Sequence, residues 1–141
     1  MKVLVVAIER QAREAVAALL REAGFDTAEA RDGATALAAL GEHRPNVLVC
    51  DWILPELFSR EVVQRIRDEP EYADFSNLPI VILVDLPDDH VARQFRRVGA
   101  DALVVKSRND QAMRRDLLGG IRTAVELRHR APVPTGGWER G

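Results

Sequence analysis

The chain has 141 residues, 47% hydrophobic and 30% charged, enough for one ordinary domain with a real core. Its net charge of −2 lacks the basic footprint that nucleic-acid binding needs, and no apolar run approaches the ~20 residues of a membrane helix. Its opening residues lack the layout of a cleaved leader, and the single Cys50 excludes an internal disulfide and fits a reducing compartment. The expectation is a cytoplasmic protein with neither a membrane nor a nucleic acid as partner.

Lys2 to Ala7 is a Val-rich first strand. Arg10 to Ala23 carries Ala12, Val16, Leu19, Leu20 and Ala23 at helical spacing, and Gly24 stops it. Phe25 to Ala30 reads as a short second strand, Asp32-Gly33 as a turn, and Ala34 to Leu40 as a small helix ending at Gly41. Val47 to Cys50, closed by Asp51, is the third strand. Ser59 to Arg67 is helical with Val62, Val63 and Ile66 inward, and Glu69 to Pro79 reads as a polar loop. Pro79 to Val84 is the fourth strand, Asp88 to Val98 a helix stopped by Gly99, and Ala102 to Val105 the fifth strand. The last helix spans about Asn109 to Arg130, with Met113, Leu117, Ile121 and Val125 on one face. Gly119-Gly120 predicts a weakened or bent stretch there, at ~1 kcal/mol per glycine. Residues 1–130 form the domain; 131–141, with two prolines and three glycines, read as a flexible tail.

Strict alternation of five strands with five helices implies a parallel sheet covered on both faces. The fold class is a doubly wound α/β domain with right-handed crossovers. Ligands and chemistry on such sheets collect at the carboxyl ends of the strands. Asp51 sits at such an end, which makes it the candidate reactive carboxylate.

Three segments, in order and at normal spacing, carry a resemblance. They are Gly24-Phe25-Asp26-Thr27-Ala28-Glu29-Ala30-Arg31-Asp32-Gly33-Ala34-Thr35-Ala36-Leu37, Pro45-Asn46-Val47-Leu48-Val49-Cys50-Asp51-Trp52-Ile53-Leu54-Pro55, and Gly99-Ala100-Asp101-Ala102-Leu103-Val104-Val105-Lys106. Together they resemble the receiver domains of response regulators, the CheY-like family, over roughly residues 1 to 128. The resemblance implies a flavodoxin-like sheet of strand order 2-1-3-4-5 and a signalling module rather than an enzyme. It places the phosphoacceptor at Asp51 and the phosphoryl-pairing lysine at Lys106. It implies a histidine kinase or a downstream signalling protein as partner, and a fourth-helix, fifth-strand and fifth-helix face that presents a surface or pairs two copies through Arg114, Arg115, Asp116 and Arg122.

The departures from that family are telling. The acidic pair that joins the phosphoacceptor in binding Mg²⁺ is Ala7-Ile8, and neither side chain can ligate a metal. Glu9 matches the acid that commonly follows the pair, so Asp51 and Glu9 are the only weak metal candidates. Mg²⁺ wants octahedral oxygen ligands, and its affinity here is expected to be weak or absent, with no other cofactor. The hydroxyl that normally contacts the phosphoryl group is replaced by Val84. Asp85 follows, beside Asp51 and within reach of Lys106. Either Lys106 bridges two acids with no phosphoryl group present, or Asp85 merely opens the loop Asp85-Leu86-Pro87-Asp88-Asp89. Ser107 stands where a proline usually follows the lysine, and Glu56-Leu57-Phe58-Ser59 replaces a Gly-containing loop.

The remaining candidates read blandly. Cys50 is a buried, inert thiol, and His43, His90 and His129 lack ligand spacing. Trp52 is a partly exposed anchor, and Trp138 either docks somewhere or is incidental. The expected function is an atypical receiver with impaired or absent phosphorylation at Asp51, either standing alone or cut from a longer protein. A conventional but slowly phosphorylated regulator is the alternative. A small α/β enzyme or ligand-binding domain is a further one, though the loop Ala7-Ile8-Glu9-Arg10 has no glycine and no phosphate fingerprint occurs.

Overall fold

The computed structural model describes residues 1–129. The order is β1 (Lys2–Val6), α1 (Arg10–Glu22), β2 (Asp26–Ala30), α2 (Gly33–His43), β3 (Val47–Asp51), α3 (Ser59–Asp68), a short 3-10 helix (Pro70–Phe75), β4 (Ile80–Val84), α4 (Asp89–Val98), β5 (Ala102–Val105) and α5 (Asp110–His129). All strand pairs are parallel, and the sheet order is β2-β1-β3-β4-β5. The expected doubly wound topology is the one found. Residues 131–141, including Trp138, lie outside the described part of the chain, as does Arg130.

Successive strand residues face opposite sides of a sheet, so each strand feeds two cores. Leu4, Val6, Leu48, Cys50, Ile80 and Ile82 pack under α2, α3 and α4. Val3, Val5, Val47, Val49, Val81 and Leu83 pack under α1 and α5. This double burial is why β1, β3 and β4 read as continuous apolar runs rather than alternating ones. On α1 the fully buried residues are Ala17 and Leu20. Val16 and Leu19 pack at the edge of that core, while Ala12 is exposed.

Local expectations differ from the structure at four places. Asp32-Gly33 is not a free turn: Asp32 caps α2, accepting from the Thr35 backbone N–H at 2.8 Å while the Thr35 hydroxyl serves the Asp32 N–H. The helix also runs past Gly41 to His43 and ends on Arg44 in the left-handed conformation, because a residue before proline, here Pro45, is barred from continuing a helix. The loop Glu69 to Pro79 contains the 3-10 helix. Pro70 at its start is preset for helical backbone, and Tyr72 and Phe75 pack on the core. Six residues kinked at Tyr72 are too few to show a period in sequence. Finally, α5 passes through Gly119-Gly120 without a break. A Cβ on Gly120 would lie 2.6 Å from a Val104 methyl, whereas one on Gly119 would meet nothing within 4 Å.

A buried ion cluster fastens the end of the sheet away from the strand carboxyl termini. The Asp101 carboxylate accepts from Arg67 at 3.0 Å, Arg128 at 2.7 Å and the Ile80 backbone N–H at 2.8 Å. Arg67 also donates to the carbonyls of Gly99, Ser76 and Leu78. Burial first, and Arg128 beside it second, push the Arg67 guanidinium down to about 10. The cluster joins α3, the segment after the 3-10 helix, β4, the α4–β5 turn and α5.

Two outcomes follow for stability, both measured by denaturant unfolding. Asp101→Ala strands the buried Arg67 charge and costs about 3–5 kcal/mol. Gly120→Ala loses about 1–3 kcal/mol to overpacking against the β-branched Val104, while Gly119→Ala gains up to about 1 kcal/mol of helix propensity.

Candidate functional site

Parallel register sets the strand ends side by side. Val6 pairs with Cys50, Asp51 with Leu83, and Val84 with Val105. Ala7, Asp51, Val84-Asp85 and Lys106 therefore emerge at one edge of the sheet. The segments that carry them are separated by many residues in the chain and meet only through this register.

Asp51 is buried at the end of β3, with 9% of its surface exposed. One carboxylate oxygen accepts from the Ile53 backbone N–H at 3.1 Å. The other lies 2.6 Å from Lys106 Nζ. The Ser59 hydroxyl at the start of α3 donates to the Asp51 main-chain carbonyl. Lys106 is held in turn by its own backbone N–H, which donates to Val84 O at 2.8 Å.

Lys106 Nζ also reaches Asp85 Oδ1 at 3.2 Å. Asp85 Oδ2 accepts from the Trp52 indole N–H at 2.8 Å. The two readings of Asp85 thus meet in one residue: it opens an exposed loop and it contacts the lysine. Burial disfavours the Lys106 cation, but Asp51 and then Asp85 more than offset this and hold its pKa above the ordinary lysine value. The Trp52 N–H, and beyond a small burial effect Lys106, hold the Asp85 carboxyl below the usual carboxylate range.

Of the remaining site residues only Glu9 is an acid. Ala7 is buried, and its carbonyl accepts from Arg13 Nη1 at 3.0 Å. Ile8 is more than half exposed. Glu9 is exposed at the start of α1 and makes no capping bond. Val84 is a buried hydrocarbon. Among the described residues no three His, Cys, Asp or Glu gather closely enough to hold a metal ion. A hydrated divalent cation needs oxygen ligands; beside Asp51 this chain offers the aliphatic Ala7 and Ile8, an ammonium, and an Asp85 carboxylate already bound by Lys106 and Trp52, a donor set that fits such a cation poorly.

Two features of the site escaped sequence reasoning. The Trp52–Asp85 bond has a signal only in hindsight: a half-buried indole N–H seeks an acceptor. The loop after Pro55 holds Glu56 at φ 61°, a left-handed conformation that is costly for any residue with a Cβ. Glu56 there does what a glycine would do without strain. Cys50 is wholly buried, and burial pushes its thiol up to about 12, which suits an inert role. His43 is half-buried, 3.2 Å from Glu42.

With this geometry in view, comparisons with known proteins place the chain. It is 27% identical over 135 residues to the phosphate regulon transcriptional regulatory protein PhoB of Pseudomonas aeruginosa, covering 96% of this chain and 58% of that one. It is 33% identical over 105 residues to the DNA-binding response regulator MtrA of Mycolicibacterium smegmatis, covering 74% and 43%. The chain therefore spans well under two thirds of these relatives. Among solved structures, the chemotaxis response regulator CheY4 of Vibrio cholerae superposes with a TM-score of 0.74 at 28% identity, covering 84% of this chain and 97% of that one. A model of the response regulator receiver domain matches residues 3–118. Because that match runs from β1 into α5 and carries both Asp51 and Lys106, the chain belongs to the response regulator receiver domain family.

Proposed function

We propose that this receiver domain is atypical: it works in two-component signalling through protein–protein contact, with Mg²⁺-dependent phosphorylation at Asp51 impaired or absent. One observation carries the reading. The ammonium that would meet an arriving phosphoryl group is already engaged by two carboxylates, Asp51 at 2.6 Å and Asp85 at 3.2 Å. Phosphoryl transfer relies on positioning and charge neutralisation, much of it by a bridging metal. Ala7, Ile8 and Val84 supply neither a metal ligand nor a hydroxyl, and Glu9 is the one remaining acid on that loop.

A second reading, a conventional but slowly phosphorylated regulator, draws on the retained Asp51–Lys106 pair and on relatives named as transcriptional regulators. The site offers no nucleophile–base pair and no phosphate-cradling glycine loop, so we infer a binding module and not an enzyme. The proposed partners are a histidine kinase or a downstream signalling protein. Arg114, Arg115, Asp116 and Arg122 on α5 are all exposed and supply charges for pairing two copies through the α4–α5 face. DNA binding is named for the longer relatives; for this stretch, at a net charge of −2, we infer a protein partner instead. No helix among the described residues is long and apolar enough to cross a membrane; with one buried thiol, that supports a cytoplasmic setting.

Intact mass after incubation with Mg²⁺ and a small-molecule phosphodonor tests the central claim. The expected result is no adduct; an adduct on the native chain that Asp51→Asn abolishes would establish the conventional reading instead. The double variant Ala7→Asp, Val84→Thr is expected to gain phosphorylation at Asp51.

The Asp85 clamp has its own acid signature. A depressed carboxyl keeps its charge, and with it the contacts to Trp52 and Lys106, as pH falls to the ordinary value of about 3.9. Its contribution is full above that pH and is lost only as pH falls through the lower folded value. The Trp52 indole N–H resonance is therefore expected to move with a midpoint below about 3.9, and Asp85→Asn removes that transition.

A further inference from the structure

Where the family's acidic pair is missing, the structure has a hole. A cavity of about 180 Å³ lies between α1 and the start of α5, beside Asp51. Its floor is hydrocarbon from buried Val5, Ala7, Leu83 and Met113. Its α1 wall includes the small side chains Ala12 and Ala15, both on the exposed face of the helix. A dry apolar cavity of about 150 Å³ is enough to hold benzene, so this one takes a single ring or a short branched chain.

The rim decides the charge of what enters. Asp51, Lys106, Ser107 and Asp110 line the polar side. Lys106 is already bound to Asp51 and Asp85, and the Ser107 hydroxyl accepts from the Asn109 backbone N–H at 3.1 Å. Arg13, the nearest cation on α1, is engaged by Glu29 and by the Ala7 carbonyl. Asp110 makes no side-chain hydrogen bond or ion pair among the described residues. A groove lined in part by Glu22 and Arg114 continues outward past Asp110. The cavity thus presents an apolar floor, an inner end where the Asp51 and Asp85 carboxylates share the Lys106 ammonium, and at its mouth the Asp110 carboxylate.

The geometry points to a binding site for a small amphiphilic cation: an ammonium that pairs with Asp110 and a compact apolar body seated over Ala7, Leu83 and Met113. An anion is disfavoured by Asp110 and Asp51 together, and a bulky ligand by the volume. A hydrated metal ion finds hydrocarbon where it needs oxygen. The site rests on the cavity and its rim, and holds whether or not Asp51 accepts phosphate.

The test is a titration of the full ¹⁵N-labelled chain with phenethylammonium, followed by amide and methionine-methyl chemical shifts. Phenylpropionate and phenethyl alcohol serve as the anionic and neutral counterparts. The expected result is saturable shifts centred on Ala7, Ala12 and the Met113 methyl. The amine binds tightest, the alcohol more weakly and the acid weakest. Asp110→Asn is expected to weaken the amine about threefold and leave the alcohol unchanged, the size of a rim ion pair. Ala15→Phe, at an exposed helix position that leaves the spectrum folded, fills the cavity and is expected to cut amine binding more than tenfold; Ala12→Leu repeats that test should Ala15→Phe disturb the fold. Absence of saturable shifts at the cavity would overturn the site. Binding undiminished in the folded filling variant would overturn its location, and phenylpropionate binding as tightly as the amine would overturn the ligand class.

Discussion

The structure depends on one constraint: a parallel sheet needs crossover helices, and crossovers bring every strand to its carboxyl end on the same edge. Both faces of β1, β3 and β4 are then covered, so their interior positions are apolar, and Lys2 and Asp51 fall at strand ends. Polarity is displaced to the strand ends, where the chain leaves the core. Asp51, Asp85 and Lys106 sit there for that reason, and so do Ala7 and Val84, whose lack of polarity is the unusual feature. At the opposite edge the Asp101 cluster ties α3 and α5 to β4.

Within that edge the governing quantity is charge balance. Asp51 is buried and needs a cation. Lys106 supplies that cation at 2.6 Å. Asp85 and Trp52 then complete the coordination of the lysine and its second acid. The result links the loops after β3, β4 and β5 with no added group. The cavity beside the site is lined there by Ala7, at one of the two positions where the family resemblance implies an acid.

Much of this was legible in the chain. The alternation of buried runs and amphipathic helices implied the topology, because double burial leaves an unmistakable run of branched aliphatics at Val47–Cys50 and Ile80–Val84. Asp51 stood out because it closes such a run; Lys106 was placed by the family resemblance of the segment Gly99 to Lys106, since a lysine there has no local signal of its own. Boundaries were less legible. The α2 end moved from Gly41 to His43 because an exposed glycine lowers helix propensity without forcing a stop, while the restriction before Pro45 does. The 3-10 helix at Pro70–Phe75 was hidden because six residues, kinked at Tyr72, hold no period to detect.

By itself the sequence determined the fold class, the edge at which chemistry would collect, and the identity of the groups placed there or missing. The first two follow from local patterns of burial; which groups are kept or missing follows from residue type set against the family resemblance. Only the tertiary structure decided what the groups do to one another. The Lys106 distances to Asp51 and Asp85, the Trp52 bond, the Gly120 approach to Val104 and the cavity under α1 all join residues far apart in the chain. They depend on strand register and on helices seated to within an ångström or so, and that relation is a property of packing in three dimensions, which no stretch of sequence carries locally.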